Sequence, residues 1–224
     1  MLKLVRSSLL FASLVCLLAA SAANAQSLST RDLILSRIDL GLTVPLEYTA
    51  TTSGQRVQSQ SPSTASGYLI SIGYTKSPWI GAEMNYKFSR FTQNYVYTYY
   101  PITYPVAPSY PIALGIDANV KELTWGYLAH TPGTYAGFKP FAGIGLGTTD
   151  FVPTPNGGQG LQRQFRATYY WKIGADYNFG NSHFGARVQT RQLFYKAPDF
   201  GQNYLTSGAH THTLEPSIGF YARF

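Results

Sequence analysis

The chain has 224 residues, and its 17 Lys and Arg against 10 Asp and Glu give a formal charge of +7. Without a leader that carries Lys3 and Arg6 the charge falls to +5, and the remaining cations are scattered. A nucleic-acid binder gathers them on one face, so no nucleic-acid partner is expected. The single cysteine, Cys16, lies in that leader, which excludes disulfides and cysteine-based metal sites or nucleophiles from the rest.

The first element is an export signal. A basic start at Lys3 and Arg6 precedes an apolar run over residues 9–20, which closes on Ala23-Asn24-Ala25. This small-x-small pattern predicts cleavage before Gln26, because the run falls short of the roughly 20 residues a membrane-crossing helix needs. Val15 stands where lipidation of Cys16 would need a small residue. Residues 1–25 are thus a leader and residues 26–224 a single domain. After Ala25 no apolar run approaches the length of a transmembrane helix, yet 15% of the chain is aromatic, with 18 Tyr and two Met. That mixture suits a closed barrel, which shows lipid an apolar residue at every second position only.

Eight alternating segments follow in order, at residues 36–48, 66–76, 79–97, 112–129, 138–149, 163–179, 184–196 and 211–224. In the third, Ile80, Ala82, Met84, Tyr86 and Phe88 share one face, and Gly81, Glu83, Asn85 and Lys87 the other. The sixth alternates over fifteen residues, about 50 Å at roughly 3.3 Å per residue, far beyond the usual five or six. The fourth is irregular: Asp117, Asn119 and Lys121 share the phase of Leu123, Trp125 and Tyr127, which predicts a bulge near Lys121-Glu122. Connections alternate between short (77–78, 131–137, 180–183) and long (49–65, 98–111, 150–162, 197–210). Short turns at one end and long loops at the other predict an all-β, eight-stranded antiparallel up-and-down transmembrane barrel with both termini in the periplasm.

The last segment alternates through Ile218, Phe220, Ala222 and Phe224, and the fifth reads Lys139-Pro140-Phe141-Ala142-Gly143-Ile144-Gly145-Leu146-Gly147. With the alternating segments, these features make the chain resemble the small eight-stranded outer-membrane barrels (OmpA/OmpX-like, and the opacity-type surface antigens). The resemblance covers nearly all of residues 26–224. It implies a Gram-negative outer membrane, lipid as the surroundings, and recognition of the C-terminal strand by the barrel-assembly machinery. It assigns no single activity, since such barrels include tethers, adhesins, small pores and a few lipid-modifying enzymes.

The face opposite the apolar one gathers Arg37, Asp39, Glu47, Glu83, Lys87, Arg166, Lys172, Asp176, Arg187, Arg191, Glu215 and Arg223. An eight-stranded interior is only just filled by side chains, so charges there must pair. Such pairs serve either a salt-bridged plug or the gate of a narrow ion path. Inward glycines (Gly73, Gly143, Gly145, Gly147, Gly174) favour a pore; Phe141, Tyr170 and Tyr221 favour a plug.

Residues 95–111 hold six Tyr (Tyr95, Tyr97, Tyr99, Tyr100, Tyr104, Tyr110) and four Pro. They suit an aromatic girdle with a stiffened loop, and also a contact surface for an extracellular ligand. His210 and His212 share a strand face and form half a metal site or a polar rim. Thr211-His212-Thr213 with Glu215 loosely resembles the site of lipid A deacylases without the spacing of their Ser nucleophile. His130 and His183, beside short turns, read as surface residues, and 157–160 as a flexible glycine-rich loop. No enzyme activity, cofactor or metal is expected. The readings kept open are a structural or surface-interaction barrel, a small pore and, more remotely, a lipid enzyme.

Overall fold

A computed structural model of the chain describes residues 37–54, 56–77, 79–99, 110–131, 133–180 and 183–223. The leader, Tyr100, Tyr104, Phe224 and the side chain of Tyr99 lie outside these residues.

Alternating segments with no long apolar run can satisfy their backbone groups in lipid only by pairing into a closed sheet. The strands are β1 (Ile38–Thr49), β2 (Val57–Pro62), β3 (Ala65–Ser77), β4 (Ile80–Tyr99), β5 (Tyr110–His130), β6 (Phe138–Pro153), β7 (Gln164–Asn178), β8 (Phe184–Lys196) and β9 (His210–Arg223). Each pairs antiparallel, and β1 closes the barrel by pairing with both β3 and β9, Asp39 lying opposite Gly73 and Arg223. Eight strands form the wall. The ninth, β2, falls where the sequence predicts a loop; it pairs with β4 at residues 93–97, beyond the stretch of β4 that β3 covers. Ser63 bridges the interruption, donating its N–H to the Thr92 carbonyl at 2.9 Å and accepting the Thr92 N–H at 3.0 Å. The start of β1 and the end of β9 share the short-turn end.

The outer face is the lipid surface. Leu40, Leu42, Val44 and Leu46 of β1 are exposed on it, with Ile70 and Ile72, Trp125, Ile144 and Leu146, Trp171 and Ile173, and Ile218 and Phe220 around the wall. Aromatic residues flank this band: Tyr74, Phe138, Tyr177 and Phe184 towards the short turns, and Tyr48, Tyr68, Tyr169 and Phe194 towards the long loops.

Strand β5 keeps its phase from end to end. Glu122 opposes Lys87 and Lys121 opposes Phe88 without a register shift, so the predicted bulge is absent. Ile116, Ala118 and Val120 are buried inside, in line with Glu122 and Thr124 lower down, while Lys121 stands outside in line with Trp125 and Tyr127. The polarity inverts because the strand leaves the bilayer between Leu123 and Lys121. Below that line the wall is apolar outside and polar inside. Above it the wall is wet outside, and Val57, Phe91, Tyr95, Ile116, Val120, Phe151, Leu193 and Tyr195 pack as an apolar core inside.

This boundary can be tested on one face of the wall. Ile144→Arg, in mid-band, should cost about 2–4 kcal/mol of urea-unfolding stability in lipid vesicles. Asn119→Arg, outward-facing above the line, should change it by less than about 0.5 kcal/mol.

Candidate functional site

Inside the lipid-spanning storey, alternation delivers side chains from every second residue into a barrel whose interior they just fill. Arg187 of β8 is the hub nearer the short turns. It is 1% exposed and donates through Nε to Asp176 Oδ1 at 2.7 Å and through Nη2 to Asp176 Oδ2 at 2.9 Å. Its Nη1 reaches Glu83 Oε2 at 3.1 Å, and Asp39 lies 3.7 Å from Nη2. Lys172 binds the other Glu83 oxygen. The hub nearer the long loops is Lys87, which meets Glu47 at 3.1 Å, Glu122 at 3.3 Å and Glu215 at closer range. Arg191 binds Glu122 and lies 3.6 Å from Glu215. Tyr170 bridges the two groups: Arg191 sits 4.9 Å over its ring, and its hydroxyl accepts a hydrogen bond from Asn85 at 3.2 Å.

Removing water on this scale strengthens each pair and makes an unpaired charge expensive. Arg187 stacks 5.0 Å over Phe141 and 5.5 Å over Tyr221, which close the network towards the short turns. His130, expected at the surface, is instead 7% exposed in the same layer, its ring 5.9 Å from that of Phe141; the unbroken phase of β5 turns it inward. His183 is exposed, its Nδ1 3.0 Å from the Arg223 carbonyl.

The other sequence candidates are placed as follows. Arg37 is exposed at the short-turn end, outside the network. Arg223 is half-buried over Tyr221 at 5.4 Å. Arg166 lies above the network, where it pairs with Asp199 at 3.3 Å. Glu122 belongs to the network although it is missing from the sequence candidates; the phase of β5, read without a bulge, marks it.

Two of the inward glycines are backed closely by aromatic rings. A methyl on Gly145 would lie 2.5 Å from the Tyr170 ring, and one on Gly174 would lie 2.5 Å from the Phe141 ring. The glycines make room for aromatic side chains that cross the lumen.

Above the network the loop between β8 and β9 folds back as a stopper. Phe200 and Leu205 are fully buried, and Phe200 meets Tyr95 edge-to-face at 6.4 Å. The Tyr95 hydroxyl donates to the Pro198 carbonyl at 2.8 Å, and Gln60 of β2 donates to the same carbonyl at 3.0 Å. Phe200 takes a left-handed φ of 50°, a conformation costing about 1–3 kcal/mol that burial of its ring offsets. Tyr95 therefore belongs to the core and not to a contact surface, because its phase points over the mouth of the barrel. Tyr97 is half-buried against Tyr204 at 5.2 Å, and Tyr110 is exposed. Asp199 ties the loop down by accepting from Gln164 and from the Gly201 N–H. Burial alone would raise its carboxyl, but those hydrogen bonds and the Arg166 charge outweigh it and hold it below the usual aspartate range.

His210 and His212 are exposed on the outer face, whereas Glu215 is fully buried in the network. The odd and even positions of β9 face opposite ways, so the His–Thr–Glu grouping does not converge. Among the described residues no third His, Cys, Asp or Glu joins the two histidines in a metal-sized cluster.

Closed strands, a lipid-facing band and a filled interior describe a small outer-membrane barrel, and residues 12–219 match the family model of the outer membrane protein beta-barrel domain. The chain belongs to that family. Its fold is also that of the crystal structure of Neisserial surface protein A (NspA), at TM-score 0.50 and 12% identity, the match covering 84% of this chain and 97% of that one. The N-terminal β-barrel domain of Pseudomonas aeruginosa OprF (TM-score 0.40, 14% identity, 81% and 96% covered) and Ail, the attachment invasion locus protein of Yersinia pestis (0.42, 10%, 83% and 99%), are further neighbours. No curated protein is similar enough to count as a match. Family membership places the chain in the outer membrane of a Gram-negative bacterium.

Arg187→Met, which strands the buried Asp39 and Asp176 and leaves Glu83 to Lys172 alone, should cost about 3–5 kcal/mol in urea unfolding. A double-mutant cycle with Asp176→Asn should return part of that loss. Acid should release the stopper separately: the tie at Asp199 is present at neutral pH and lost as pH falls through its lowered pKa, below about 3.9. Hydrogen exchange over residues 197–209 should accelerate there before the strands do, and Asp199→Asn should give fast exchange already at pH 7.

Proposed function

We propose that this protein is a closed, non-catalytic barrel that holds a contact surface at its long-loop end, with that end facing out of the cell. The observation that carries the reading is the two-storey filling of the lumen, a buried network of paired charges below and the Phe200–Leu205 stopper above. Both block the path of an ion or solute along the axis. The contact surface comprises the exposed parts of the long loops, with Tyr110, Tyr204 and the edge of Tyr97 as large rings that bury area at low entropy cost. In this reading the leader is cut before Gln26, and the assembly machinery reads the strand ending at Ile218, Phe220, Ala222 and Phe224.

A small pore is the second reading, and one feature favours it. Several network members already have alternative partners: Glu83 is shared by Lys172 and Arg187, and Lys87 by three carboxylates. An exchange of partners is the elementary step of a gate. Single-channel recording of refolded residues 26–224 in planar bilayers separates the two. The closed reading expects a silent membrane, with Glu83→Gln/Arg187→Gln silent as well because the stopper remains. Steady openings of the parent chain, altered by that double change, would overturn it in favour of the pore.

A further inference from the structure

Outward-facing charges just above the apolar band are not evenly matched. Arg90 lies 3.7 Å from Asp117, whose oxygens also accept from Thr92 at 2.6 Å and Asn156 at 2.7 Å. Arg163 holds Asp150 with two hydrogen bonds, at 2.7 and 2.5 Å. On the far side of the barrel, β8 and β9 carry Lys196, His210 and His212, all exposed on the outer wall. Lys196 lies directly opposite His210, and Phe194 directly opposite His212, so the four form a single two-by-two patch. The Phe194 and His212 rings are 6.3 Å apart. Among the described residues no carboxylate comes within ion-pair distance of any of the three. Asp199, three residues along from Lys196 and near enough to feel its charge, is bonded to Arg166 and Gln164.

Position decides what such a patch meets. Phe194 and Leu214 are the last lipid-facing side chains on these two strands; His212 stands level with Phe194 and above Leu214, and Lys196 and His210 stand immediately above both. Side chains here point sideways, away from the barrel axis, into the layer occupied by lipid headgroups. We infer that Lys196, His210 and His212 dock the phosphate of an anionic lipid headgroup in the leaflet at the long-loop end, with Phe194 against the top of its acyl region. Lys196 supplies the charge and the imidazoles supply N–H donors, which together suit a group with several acceptor oxygens. Near an anionic bilayer surface a cation of this kind contributes about a fivefold preference for charged lipid. The docked lipid would hold the β8–β9 edge of the rim, from which the stopper loop springs. This inference concerns the outer wall and stands whether or not the lumen conducts.

The test is retention of lipid by the folded full chain. The barrel is refolded with lipid A bearing both phosphates, or with the same lipid after dephosphorylation, and bound lipid is counted by native mass spectrometry. The intact chain should keep the phosphorylated form at least about fivefold better. Lys196→Gln/His210→Gln/His212→Gln should remove that preference, while Lys121→Gln, an outward cation elsewhere on the rim, should leave it unchanged. Heat-modifiability on gels verifies folding, and Lys196→Glu alone, a single exposed change, should already reverse the preference if the triple variant does not refold. Equal retention of both lipids, equal retention by parent and variants, or displacement of the lipid by millimolar inorganic phosphate would overturn the inference; the last would mean a site for a soluble anion.

Discussion

Every peptide group within the bilayer must find its hydrogen-bond partner in the protein, and where the described residues hold no helix long and apolar enough to cross it, a closed sheet meets that requirement. Closure on eight strands then fixes the rest. It leaves no free edge inside the lipid, and it sets an interior so narrow that opposing side chains touch. Whatever faces inward is desolvated by its neighbours. A cation from β8 has no choice but to sit among carboxylates from β1, β4 and β7, as Arg187 does. The charge network follows from the radius of the barrel.

The same alternation serves two solvents. In the bilayer the outer face must be apolar, so polar residues go inside; beyond it the outer face must be polar, so apolar residues go inside. Strand β5 makes the change between Leu123 and Lys121 with no disturbance of its pairing. Above that level the protein behaves as a small water-soluble barrel, its core built from Phe91, Phe151, Val120 and Tyr195, with Phe200 brought in by a loop. A strand longer than the bilayer is what makes this second storey possible, and β4, running from Ile80 to Tyr99, supplies much of it.

That division explains what could be read from the residues and what could not. Within the band, alternation assigned the lipid face strand by strand, since period two and an apolar outside are enough to orient Ile80 to Phe88 or Phe165 to Tyr177. The inverted storey defeated the same logic. A rule that puts apolar residues outside must invent a bulge at Lys121-Glu122, and in doing so it missed Glu122; His130 was read as a surface residue only from its place beside a short turn, against the phase of its strand. It also left Tyr95 among loop aromatics, although the residue points at the axis. Strand β2 was invisible for a different reason: Val57-Gln58-Ser59-Gln60-Ser61-Pro62 has almost no apolar pattern, because its pairing to β4 comes from the neighbouring hairpin and not from its own side chains. The stopper was hidden likewise. Nothing local marks Phe200 as buried, since its burial depends on Tyr95, Gln60 and Gln164, each distant in sequence.

Function is confined by what structure has already used. The lower interior is committed to compensating buried charge, and the upper interior to packing that compensates for the absence of lipid around it. The middle of the outer wall is committed to acyl chains. What remains free to vary without unfolding the barrel is the rim: the sideways-facing residues just above the band, and the loops over the mouth. The two are linked through the β8–β9 connection, which begins beside Lys196 on the wall, passes Phe200 through the core and returns to the wall at His210. A ligand gripping either end of that segment would pull on the stopper between them, since only the thirteen residues from 197 to 209 separate the two ends.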